Sequence, residues 1–311
     1  TVGVRKYGDS TAATDQDLWH LGSCTKAMTA TLMGILVQEG LLSWDSRLVD
    51  VFPEMQSTMS EQVRQITLRH LLTHRSGLPA NGPWRKLGED RTTTEQRMEL
   101  LREMAPRKLD HDPGSHYEYS NVGYALAGLM AETVTRQSWE ELLTHRVFQP
   151  LQMDAVGFGV PGTLGETDQP WGHHATWLGL GPLKAVQLDN AAALGPAGTV
   201  HASLESWAKF IALHLAPNNE LISSEIWETL HTPAGDDYAM GWVVAERGWA
   251  QDESKQGLAL THSGSNTVNF CVCWLAPHRD FAVIAATNSG QSTAARGLDK
   301  VASVLIKRYL K

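Results

Sequence analysis

A serine hydroxyl is a weak nucleophile near neutral pH and needs a base within hydrogen-bond reach. In "LWHLGSCTKAMTATLMGILVQEG" (18–40) Ser23 stands at the mouth of a helical run, with Lys26 three residues further on. Residues at that spacing share a helix face, so the hydroxyl and the amine can meet. A lysine held in a dry setting gives up its proton more readily and becomes a base. The free N–H groups at a helix start also favour a developing oxyanion. The same spacing has a plainer meaning, in which Ser23 caps the helix and Lys26 reaches solvent. "SWAK" repeats it at Ser206 and Lys209, well inside an amphipathic run and with the lysine on the polar side; there the plainer meaning is expected.

Two further groups carry chemistry. "YSN" (Tyr119, Ser120, Asn121) follows a "DPG" turn and precedes a helical pattern. A phenol with a lowered pKa can shuttle a proton to a leaving group, and an amide beside it can hold both a base and a substrate carbonyl. The alternative is a tyrosine packed on the core and Asn121 as the cap of the next helix. "HSG" (His262, Ser263, Gly264) ends a strand-like run. A glycine there lets a substrate lie along the strand edge, and the N–H of Ser265 can point at an oxyanion.

The elements that must position these groups are legible in outline. "TVGVRKYGD" reads as an opening strand ending in a turn, and the helix from Ser23 to Gln38 stops at Gly40. A long helical and loop-rich middle follows, with helical patterns over 67–79, 121–137 and 138–151, the last opened by Ser138 with Glu141 as a capping box. The Gly-, Pro- and Trp-bearing stretch 167–182 reads as a long covering loop. A helix over 203–215, four strand-like runs and a closing amphipathic helix complete the chain. This order predicts an α+β protein: a sheet assembled from both chain ends, residues 1–50 with 195–311, and a mostly helical part, 51–194, inserted between them. The 311 residues carry a net charge of −8 and no basic run with interleaved aromatics, which argues against nucleic acid as a partner. No run approaches the roughly 20 consecutive apolar residues of a spanning helix. Cys24, Cys271 and Cys273 read as thiols, the last two sharing a strand face.

In fixed order, S-x-x-K, Y-x-N and [KH]-[ST]-G resemble the serine β-lactamase and penicillin-binding-protein superfamily. The tyrosine form of the middle motif is similar to its class C branch, which includes D-alanyl-D-alanine carboxypeptidases, D-aminopeptidases and family VIII esterases. The likeness extends through "LRHLLTHRSGLP", "PGSHYEYSNVGYALAG", "LGPAGTVHASLESWAKF" and "YAMGWVV". It implies a β-lactamase/transpeptidase-like fold, an antiparallel sheet flanked by helices, with the site in a cleft between the sheet part and the helical part. It implies Ser23 as the acylated nucleophile, Lys26 and Tyr119 as proton-transfer partners, and Asn121, His262, Ser263 and Gly264 as substrate-positioning residues. The backbone amides of Ser23 and Ser265 would form the oxyanion hole. No cofactor or metal is implied; the substrates implied are small esters, β-lactams or D-amino-acid peptides.

His262 stands where many members have lysine, and a neutral imidazole attracts a substrate carboxylate less than an ammonium does. The reading therefore leans to an esterase or D-amino-acid peptidase, with a class C-like β-lactamase as one alternative and a non-catalytic penicillin- or peptide-binding sensor as another. The family usually carries a helix and a strand ahead of the opening strand, so the given chain is expected to begin inside the domain. Localisation stays open between a periplasmic or secreted site and the cytoplasm. His70 and His74 are four apart but lack the intervening Glu and third ligand of a zinc site. His173 and His174 are expected to line or cover the cleft, and Trp84, Trp171 and Trp177 to form an apolar wall for an acyl group. No G-x-S-x-G elbow surrounds Ser23, which argues against an α/β-hydrolase.

Overall fold

The computed structural model describes residues 1–88, 90–175 and 183–310. Its central element is the helix Thr25–Gln38, entered through a 3₁₀ turn over Gly22–Cys24 and left through Gly40, whose φ of +73° suits only a residue without a Cβ. From Thr25 through Leu36 this helix is buried on every side. It is therefore a core helix, not the amphipathic one that its polar start suggests. Lys26 has no solvent-facing side to turn to.

Strand β1 (Trp19–His20) precedes it and pairs with β5 (Val200–Ala202), which also pairs with β2 (Val156–Phe158) in an antiparallel three-stranded sheet. A second antiparallel sheet runs β6 (Val243–Glu246), β7 (Leu258–Ser265), β8 (Phe270–Ala276), β9 (Phe281–Thr287). The helix Ser292–Tyr309 packs on its outer side through Ala302 and Ile306. The anticipated α+β architecture is present, with two corrections. The opening segment does not join the large sheet: Gly3 and Gly8 take positive φ, one bridge joins Val4 to Ala12, and Arg5 pairs with Asp17, so the segment folds back on itself. And 167–182 is not all loop, because β3 (Gly172–Ala175) pairs with β4 (Leu183–Val186).

Helices Thr93–Met104 and Asn121–Thr135 pack against each other. Their packing is pinned by Arg97, fully buried, which pairs with Glu132 and with Glu140 and donates to the Ala193 carbonyl at 3.2 Å. A buried cation needs such partners because its desolvation cost is several kcal/mol. The contact reaches the segment leading into the short helical turn Gly195–Gly198. Ser138 and Glu141 make the capping box read from the sequence. The helix over 67–79 is shorter than its pattern, Leu68–Leu72, because His74 takes a left-handed φ of +58°.

Under the central helix lies a pair of neutral histidines. His231 Nε2 is 2.9 Å from His214 Nδ1, and His214 Nε2 is 3.2 Å from Thr31 Oγ1. Burial pushes His214 down to about 3 and His231 well below its ordinary range. Both folded values lie below the unfolded one, so as the pH falls the unfolded chain takes up protons first. Stability should be complete above pH ~6.5 and should decline progressively below it. Denaturant midpoints measured from pH 8 to pH 4 test this; a midpoint unchanged down to pH 4 contradicts it.

Candidate active site

Ser23 lies within the 3₁₀ turn and Lys26 at the second position of the helix, so the local spacing does bring them together: Lys26 Nζ is 3.1 Å from Ser23 Oγ. The other contacts of this amine come from far along the chain. Nζ lies 2.8 Å from Asn121 Oδ1 and 2.8 Å from the Ala197 carbonyl oxygen. Asn121 is oriented so that its Nδ2 donates to Asn81 Oδ1 at 3.0 Å, which leaves Oδ1 toward the lysine. Both oxygens only accept. A neutral amine has two N–H bonds for them and one lone pair left for the Ser23 hydroxyl proton. Burial lowers Lys26 to about 7, which makes that neutral form accessible near neutral pH.

Tyr119 O–H donates to Ser23 Oγ at 2.9 Å. The phenol lowered in pKa that the sequence suggested is not found: burial raises it, outweighing the hydrogen bond to Ser23. Tyr119 is thus a protonated donor at rest. Its neighbour Ser120, not Asn121, caps the helix, accepting the Gly123 N–H at 3.0 Å. That frees the Asn121 amide for Lys26 and Asn81. Ser120 is itself held by His74, whose Nδ1 accepts the Ser120 N–H at 3.0 Å. His74 and His70 therefore do not act as a pair. His70 serves the cap of its own short helix, and among the described residues no group of three His, Cys, Asp or Glu is placed to hold a metal ion.

The strand edge His262–Ser265 closes the third side. A Cβ on Gly264 would lie 2.9 Å from the Ser23 amide nitrogen and closer still to the Leu21 carbonyl oxygen. Gly22, at φ +46°, is equally pressed against the Ser265 amide. Two glycines facing each other let the backbone of the Ser23 turn and that of the Ser265 strand edge come into close contact. His262 is 6% exposed; its Nδ1 donates to the Ser263 carbonyl at 2.7 Å and its Nε2 is 3.3 Å from the Tyr238 hydroxyl. Burial and the nearby Lys26 lower it to about 4, so it is uncharged near neutral pH.

The cleft at Ser23, about 360 Å³, is lined by Tyr117, Tyr119, Tyr238, Val243, Phe270 and the His262–Ser265 edge. Its aromatic wall is made of tyrosines and Phe270, not of the expected tryptophans. Trp84 packs on the core and Trp171 lies under Lys6, while Trp177 falls outside the described residues. Nor do His173 and His174 line this cleft. His173 ties the first residues down, accepting the Tyr7 N–H at Nε2 and approaching the Asn288 carbonyl oxygen with Nδ1. The second Ser–Lys pair comes apart: Ser206 Oγ accepts the Ala155 N–H and Lys209 donates to the Gln152 carbonyl. Sequence reading missed Asn81, His74 in its present role, and Tyr238. The last lies in a run, "YAMGWVV", that carried only the family likeness.

A model of the beta-lactamase family matches residues 1–306. The chain belongs to the beta-lactamase family. Its curated relatives include protein flp of Staphylococcus aureus (strain MW2), 25% identical over 99% of this chain and 60% of that protein. Penicillin-binding protein 4 of Amycolatopsis lactamdurans is 28% identical over 94% of this chain and 77% of that one. This chain therefore spans about three-fifths of the staphylococcal relative's length. Among solved structures, the octameric penicillin-binding protein homologue from Pyrococcus abyssi superposes with a TM-score of 0.77 at 23% identity, over 97% of this chain and 69% of that one. The D-amino acid amidase from Ochrobactrum anthropi SV3, complexed with L-phenylalanine amide, superposes with a TM-score of 0.73 at 21% identity, over 96% and 85%. These likenesses establish the β-lactamase/transpeptidase-like fold. Among the described residues no helix is long and apolar enough to cross a membrane.

Proposed function

We propose that this chain is a serine acyl hydrolase that cleaves ester or amide bonds through an acyl-enzyme on Ser23. The observation that carries the reading is the buried Lys26 amine, with two carbonyl acceptors for its N–H bonds and its remaining position on Ser23 Oγ. In the first step the Ser23 proton passes to Lys26 as Oγ bonds to the substrate carbonyl carbon, and the oxyanion rests on the Ser23 and Ser265 amides. The carbonyl re-forms as the bond to the leaving group breaks. Tyr119, protonated at rest, supplies the leaving group with a proton, and the Lys26 ammonium makes it good. Water then attacks the acyl carbon, passing one proton to the neutral Lys26 amine; the Oγ–acyl bond breaks to release the acid, and Ser23 Oγ takes that proton back.

Substrates without a carboxylate beside the scissile bond suit this cleft best. Among the described residues its lining includes no lysine or arginine, and the histidine at the position of the family's lysine is buried and neutral. Simple esters and amides are therefore placed ahead of cephalosporins and D-Ala-D-Ala peptides, and the likeness to a D-amino acid amidase supports including amides. A fluorophosphonate should add covalently to Ser23, seen by mass spectrometry, and Ser23→Ala should carry no adduct. An intact protein that stays unlabelled would favour a binding protein, and faster turnover of a cephalosporin than of a p-nitrophenyl ester would favour a β-lactamase. His262→Lys should raise cephalosporin turnover relative to the ester by about tenfold, the worth of one charge-assisted hydrogen bond to a carboxylate. An unchanged ratio would show that the charge at this position does not set the preference.

A further inference from the structure

The turn that carries Ser23 is held from behind by two side chains that the proposed reaction does not touch. His20, 2% exposed on β1, accepts the Gly22 N–H at Nδ1, 3.1 Å away, and its Nε2 is 2.6 Å from Asp189 Oδ1. A ring nitrogen that accepts an amide proton carries none of its own, so the ring proton sits on Nε2 and is given to Asp189. The same carboxylate oxygen accepts the Asn190 N–H at 2.7 Å, and Asn190 Nδ2 donates to the Gly198 carbonyl at 2.7 Å. Gly198 closes the short turn that contains Ala197, whose carbonyl oxygen takes one N–H of Lys26. Asp189 therefore stands between the nucleophile, reached through His20 and Gly22, and the base, reached through Asn190 and Ala197.

The Gly22 peptide is where an error in placement would be felt. Its left-handed backbone is wedged against the Ser265 amide, and the next residue supplies both Oγ and an N–H to the reaction. We infer that His20 and Asp189 form a positioning pair for the Ser23 turn: Asp189 selects the Nε2–H tautomer of His20, and the bare Nδ1 fixes the Gly22 peptide and with it the nucleophile and half of the oxyanion hole. The inference rests on Ser23 as nucleophile for its catalytic meaning; its geometry is tested apart from activity.

Nitrogen-15 NMR of the unmodified protein should show His20 with a proton on Nε2 and a bare Nδ1, and a protonated Nδ1 overturns the inference whether or not any variant folds. His20→Phe and Asp189→Ala should each lower kcat for ester hydrolysis by about tenfold, the scale expected when a reacting group is slightly misplaced, with KM within about twofold. Both should shift the Gly22 amide resonance. The double variant should be no slower than about twice the slower single one, because the two residues act on one peptide. His20→Asn, which still offers an oxygen to the Gly22 N–H, should recover most of the loss. Multiplicative losses, or an Asn variant as slow as the Phe variant, would reduce the pair to ordinary packing. If the unmodified protein neither labels at Ser23 nor hydrolyses ester, the nucleophile reading fails while the NMR result still decides the geometry.

Discussion

Lys26→Met should slow acylation of Ser23 by about 10²- to 10⁴-fold while leaving the chain folded, the range that a positioned general base contributes. Methionine keeps the length and apolar body of the side chain in a site that is fully buried. What it removes is the only amine within reach of Ser23 Oγ among the described contacts. Burial lowers Lys26 to about 7, and only the deprotonated amine can take the hydroxyl proton. The acylation rate of the unmodified protein should therefore climb as pH rises through about 7 and level off above it. The Met variant should lose that inflection along with the rate. Lys26→Arg should not rescue, since a guanidinium keeps its proton at any working pH. Stopped-flow labelling with a fluorophosphonate from pH 5 to pH 9 reads all three; a Met variant within threefold of the parent, or one that keeps the inflection, would remove Lys26 as the base.

The other large effect is expected at a residue with no side chain. Gly264→Ala should cost about 10²- to 10³-fold in acylation, the loss seen when an oxyanion donor is removed, and roughly 1–3 kcal/mol of stability from overpacking. An added Cβ meets backbone on the facing turn: the Leu21 carbonyl group and the Ser23 nitrogen at 2.9 Å. No rotamer change can make room, because backbone is not a flexible side-chain end. That turn is also tied on its far side, where the Leu21 N–H donates to the Val200 carbonyl oxygen at 2.8 Å. The strand edge and the nucleophile turn must therefore separate, and the two N–H groups separate with them. Labelling rates and denaturant midpoints measured together test this. A variant with near-parental labelling would mean that the Ser265 amide does not take part.

The two residues between Ser23 and Lys26, silent in the sequence, also have a place in the fold. Cys24 Sγ lies 3.6 Å from the His262 carbonyl oxygen and 3.5 Å from Cys271 Sγ, and Thr25 Oγ1 accepts the Val200 N–H at 3.2 Å. One tethers the nucleophile turn to the large sheet, the other to the small one. All three cysteines are free and buried.

What the sequence by itself determined was whatever depends on local spacing and on the order of motifs. Ser23 and Lys26 share a helix face whatever surrounds them, Ser138 and Glu141 close their own cap, and three motifs in order point to one family. The tertiary structure decided protonation and placement, because both depend on groups distant in the chain. Lys26 is a candidate base only because the Asn121 side chain and the Ala197 carbonyl surround it in a dry core, and nothing near it in sequence encodes that. Tyr119 holds its proton, against the expectation of a lowered pKa, because burial outweighs its contact with Ser23. His262 is neutral for the same reason, desolvation, with the Lys26 charge adding to it. A residue's type names the chemistry available to it; its degree of desolvation, set by chain folding from many directions at once, fixes which protonation state it brings.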